Sequence, residues 1–193
     1  MIESIWFEVV GAAAGAAGAL LAARQSIWTW PLGLLMSLAY LLVFAEARLY
    51  SDLLLHALYV PVFVLGWVRW SRKTTSEELL SPTHASPREL GAWLVAGAIA
   101  TVGLGAAMVQ WTDADLAYVD AATTVFSLIA LWLQGRKKIA CWWMFLAVDV
   151  TSIGVYAVKA LYPSILLRVV FVGIDLYGLR SWHLRESGAS NAR

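Results

Sequence analysis

Asp149, Arg168 and Asp175 are ionisable residues set inside long apolar stretches, and His56 stands inside another. A charged side chain at the centre of a membrane span costs about 2.5–3.5 kcal/mol on insertion scales, so each of these must face protein or water rather than lipid. Asp149 belongs to a stripe of Trp142, Phe145, Asp149, Ser152 and Tyr156, spaced so that all five share one helical face. A carboxylate lined by rings suits a cationic or heteroaromatic solute: the rings stack and attract cations, and the acid balances charge. Asp149 could instead bond only to a neighbouring helix; contact with a solute is the expected role. Arg168 and Asp175 lie seven apart on one face, and read either as a structural ion pair or as part of the same site. His56 shares a face with Tyr59, Phe63, Gly66 and Trp70, where it bonds a ligand hydroxyl or bridges helices. Tyr40 and Trp67 complete the candidate substrate-binding set.

Signals for catalysis are missing. The chain has no GxxxxGK[ST] loop and no HExxH, and its histidines, His56, His84 and His183, are scattered. No catalytic residue, metal or cofactor is expected, and an ATP-driven motor is excluded. The lone Cys141 cannot form an internal disulfide. A net charge of +1 does not imply nucleic acid as a partner.

The elements that hold these residues are membrane helices. The chain is 61% hydrophobic and 14% charged, with a mean hydropathy of +0.70. A core of this size cannot absorb that apolar excess, so lipid must solvate the outside. Apolar segments fall at 6–24, 30–47, 50–70, 90–110, 116–134, 140–159 and 162–182, each near the length that crosses a bilayer. The first is expected to be a retained helix rather than a signal peptide: acids, Glu3 and Glu8, precede its apolar run, and no Lys or Arg does.

Two of these stretches repeat each other at a constant offset of 112 residues. Without a gap, Trp30 falls on Trp142, Leu49-Tyr50 on Leu161-Tyr162, Gly66 on Gly178 and Trp70 on Trp182. Upstream, Arg24 falls on Arg136 and the acid Glu8 on the acid Asp120. The organisation is therefore 3+1+3: a first three-helix repeat at 6–70, a connector with a linking helix at 71–112, a second repeat at 113–182 and a tail at 183–193. The unpaired helix restores orientation, so the two repeats run parallel about an axis along the membrane normal. Polar and aromatic residues recur at matching positions of both halves, as a shared central cavity requires.

Eleven of the 14 Lys and Arg fall on one side of this scheme and two, Arg48 and Lys159, on the other. That bias puts the N-terminus outside and the C-terminus in the cytoplasm.

The ordered set Leu49-Tyr50, Gly66-Trp67, Trp70, Arg136-Lys137, Trp142, Asp149, Tyr156, Leu161-Tyr162, Gly178 and Trp182 resembles the PnuC family of bacterial vitamin transporters. The resemblance spans about 6–182. It implies an all-α membrane protein of seven transmembrane helices, akin to the SWEET sugar transporters. It further implies facilitated diffusion across the inner membrane, trapping of the vitamin by a cytoplasmic kinase, and a homotrimer or similar oligomer. The expected cargo is nicotinamide riboside or another substrate of the family, with thiamine, riboflavin or a deoxynucleoside as the alternative. Where nicotinamide riboside members tend to carry glutamine, asparagine or tyrosine, this chain has His56, Met36 and Phe63, and Arg168. Ala140 and Cys141 replace a glutamate and an asparagine before the tryptophan. Those exchanges favour a drier site, which thiamine would suit. A substrate-capture subunit of an ATP-driven importer is the competing class; matched halves favour a self-sufficient carrier.

Overall fold

The computed structural model describes residues 2–46, 50–71, 81–112, 115–158 and 162–191. Seven helices follow one another: α1 (Ile2–Ala23), α2 (Thr29–Glu46), α3 (Tyr50–Ser71), α4 (Pro87–Trp111), α5 (Ala117–Gly135), α6 (Ala140–Val158) and α7 (Tyr162–Asn191). No strand occurs among the described residues. Arg48, Leu49, Asp113, Lys159, Leu161 and the linker residues 72–80 lie outside them.

Five helices, α2 to α6, are long and apolar enough by length and composition to cross a membrane. In α1 the stretch Val9–Ala23 is apolar but shorter. In α7 the charges of Arg168, Asp175 and Arg180 dilute an otherwise apolar span. α4 starts at Pro87 rather than at 90 because Ser86 caps it: the Ser86 Oγ accepts from the Glu89 N–H at 3.1 Å, and Pro87 occupies the first turn. α7 does not stop at Trp182. The expected tail stays helical through Asn191.

α1 packs on α2 and α7, α5 on α6 and α3, α2 on α3, and α6 on α7. α4 rests chiefly on α5, where Gly97 and Gly105 admit the rings of Phe126 and Tyr118. The turns after α1 and α5 share most of their backbone hydrogen bonds. Ser26 N–H donates to Leu21 O and Lys138 N–H to Leu133 O, each at 2.9 Å. Gln25 and Lys137, at equivalent positions, are the described non-glycine residues with positive φ, 59° and 54°.

Each half carries the same tryptophan joint. Gly66 leaves room for the Trp30 ring and Gly178 for the Trp142 ring; a Cβ at either glycine would enter the indole. Trp30 meets Trp70 edge-on at 5.2 Å, and Trp142 meets Trp182 edge-on at 5.4 Å. The halves then cross-connect. Trp70 Nε1 donates to Gly135 O of α5, and Trp182 Nε1 to Ala22 O of α1, both at 3.1 Å. Since Trp70 and Trp182 also touch at 6.5 Å, α1 and α5 finish at one end of the bundle.

Candidate functional site

Beside this tryptophan layer lies a cavity of about 180 Å³ between the halves. Its α1 wall is made of Gly15, Gly18, Ala19 and Ala22, whose small side chains let α2 and α7 draw close. Met36 and Phe171 meet over Gly15, while Thr29 Oγ1 donates to Gly18 O at 2.9 Å and fixes the α1–α2 crossing. Phe63 from α3 lies over Gly33 of α2. α5 contributes Ser127, Leu131 and Gln134.

The charged wall comes from α6 and α7. Arg168 Nη1 donates to Asp149 Oδ1 at 2.7 Å, with the Asp149 side chain 8% exposed and that of Arg168 31%. The guanidinium sits 5.8 Å from the Tyr156 ring centroid, a cation–π contact that holds it. Asp175 is 4% exposed, lines the same cavity, and its carboxyl lies within hydrogen-bonding reach of Asp149. The two carboxyls and the guanidinium thus form one compact cluster on this wall. The Trp142 Nε1 is buried without an acceptor.

Five of the nine expected site residues line this cavity: Tyr59, Trp142, Phe145, Asp149 and Asp175. Tyr156 stands behind Arg168. Tyr40 and His56 form an aromatic ladder beside the cavity: Tyr40 stacks on Phe44 at 5.4 Å, and His56 lies 5.1 Å from each of them and 5.5 Å from Tyr59. Trp67 is 41% exposed on the outer face of α3, because it follows Gly66, whose side of the helix is turned to Trp30. Arg168 pairs across helices with Asp149 rather than along α7 with Asp175, which sits about 10 Å further along the axis. Sequence spacing had not singled out Ser127 and Gln134. Their spacing of two turns along one face of α5 is the available signal.

A larger groove of about 590 Å³ opens at the side of the bundle between α3 and α5, edged by Arg69, Arg136 and Lys137. It contains none of the buried acids. Burial lowers the Lys137 pKa, with Arg185 adding repulsion, and its ammonium rests 4.7 Å over the Trp70 ring.

A bundle of lipid-compatible helices around a small cavity that is both ring-lined and charged is the build of a solute carrier. Residues 5–184 match the family model described as nicotinamide mononucleotide transporter, and the chain belongs to that family, the PnuC transporters. It is 27% identical to the riboflavin/roseoflavin transporter RibM of Streptomyces davaonensis, over 94% of this chain and 86% of that protein. It is 25% identical to the nicotinamide riboside transporter PnuC of Escherichia coli K12, over 95% and 88%. Its fold matches the crystal structure of a vitamin B3 transporter PnuC with a TM-score of 0.77 at 21% identity, covering 94% of this chain and 82% of that one.

Proposed function

We propose that this protein is an inner-membrane facilitator for nicotinamide riboside or a closely related vitamin, bound in the cavity between the halves. The observation that carries the reading is the largely buried cluster of Asp149, Arg168 and Asp175 beside the rings of Tyr59, Trp142 and Phe145. Nicotinamide riboside carries its positive charge on a flat pyridinium ring, so one ligand can use both the acid and the rings.

Transport follows from the two halves rocking about the bound solute. The crossed bonds of Trp70 and Trp182 close one end, and inward release separates them. The Lys and Arg bias makes that end cytoplasmic, where phosphorylation by a kinase keeps the inward flow downhill. Parallel repeats about an axis along the membrane normal, and assembly as a homotrimer, belong to the same reading.

Calorimetric titration of the purified protein against nicotinamide riboside, thiamine, riboflavin and nucleosides tests it. Asp149→Asn is expected to weaken binding of the cationic ligand at least ~10-fold, while the fold, measured by thermal unfolding, persists. Unchanged affinity removes the acid from the site. Likeness to RibM supports a second reading, a flavin carrier; a neutral flavin whose binding ignores Asp149→Asn would favour it. Uptake into liposomes without ATP or a partner separates a carrier from the capture subunit of an importer.

A further inference from the structure

Beyond the cavity, the molecule brings together two of the histidines that their sequence positions left far apart. His183 and Glu186 sit one turn apart on the part of α7 that runs past Trp182. His84 comes from the segment leading into α4. His84 Nε2 lies 2.9 Å from Glu186 Oε2, His183 Nδ1 lies 3.8 Å from the same oxygen, and the two imidazole rings are 5.3 Å apart. One donor atom from each residue falls within 4.8 Å of the others.

We propose that His84, His183 and Glu186 form a binding site for a divalent transition metal such as zinc. Donors bound to tetrahedral zinc at 2.0–2.2 Å stand about 3.3–3.6 Å from one another, so small rotamer changes bring this trio onto an ion. Two imidazoles and one carboxylate favour zinc, copper or nickel over magnesium or calcium, and three ligands leave a fourth position for water.

The supporting backbone is already fixed. Thr83 N–H donates to Lys137 O, and Ile139 N–H donates to Thr83 O, both at 3.0 Å. Lys138 Nζ donates to the His84 carbonyl at 3.2 Å, and Glu89, 3.8 Å from that ammonium, offsets its charge near the metal. His84 is thus held from both sides, while its side chain is 64% exposed and open to an ion. A bound ion clips the α4 leader, and with it the α5–α6 turn, to the end of the helix that bears Arg168 and Asp175.

The test is a zinc titration of the full-length protein, without a histidine tag, against a competing fluorescent chelator, with magnesium as control. One zinc per chain is expected, with His84→Ala and Glu186→Gln each weakening it at least ~10-fold and magnesium not competing. Both positions are away from the cavity, and thermal unfolding in zinc-free buffer certifies that each variant is folded. Zinc binding that is absent, or as tight in the folded variants as in the parent chain, overturns the site.

Discussion

The two stretches offset by 112 residues agree at their turns and tryptophan joints and differ at the cavity. Their turns share most backbone hydrogen bonds, and each sets a tryptophan ring against a glycine. At the cavity they diverge. Ser37 in the first half stands where Asp149 stands in the second, and His56 stands where Arg168 does. His56 lies against the Phe44 ring at 5.1 Å, as Arg168 lies near the Tyr156 ring at 5.8 Å. Bulk is exchanged too: α2 offers Gly33 and α3 Phe63, whereas α6 offers Phe145 and α7 Asp175. Positions that shape the helix crossings stay matched, while those that line or flank the cavity separate into an aromatic wall and a charged one.

The sharpest way to break this contrast is at the ion pair. Arg168→Met strands a buried carboxylate and should cost about 3 kcal/mol in thermal unfolding; adding Asp149→Asn should recover most of it. Gly66→Ala and Gly178→Ala should each cost about 1–3 kcal/mol by driving a Cβ into an indole, and a large inequality between them would show that the joints are not equivalent. Trp70→Phe and Trp182→Phe should each lose about 1 kcal/mol with the indole hydrogen bond. Gln25→Gly should gain up to ~1 kcal/mol by relieving a positive φ, and Lys137→Gly less, since it forfeits the contact over Trp70. Ser37→Ala should stay within about 0.5 kcal/mol, because its buried hydroxyl has no partner among the described residues.

The helices were legible because lipid imposes length and composition on each span. The offset that pairs Trp30 with Trp142 was legible because tryptophan is rare and its glycine partner travels with it. The turns were less so: Gln25 and Lys137 adopt a left-handed backbone without being glycine, so no residue type announced them. The placement of Asp149 and Asp175 at the cavity followed from the cost of charge in lipid. Which acid Arg168 meets did not, because pairing across α6 and α7 depends on helix rotation that spacing along one helix does not contain. His84 and His183 were separated by a hundred residues of chain, and only packing of the α4 leader against α7 joins them.

The crossed indoles carry one more consequence. Trp70 finds its acceptor on α5 and Trp182 finds its own on α1, so neither three-helix unit can satisfy its closing bond alone. A polypeptide of half this length would have to assemble with a second copy of itself to become complete. Split between α3 and α5, this chain should therefore reassemble from its two fragments only as a reciprocal pair.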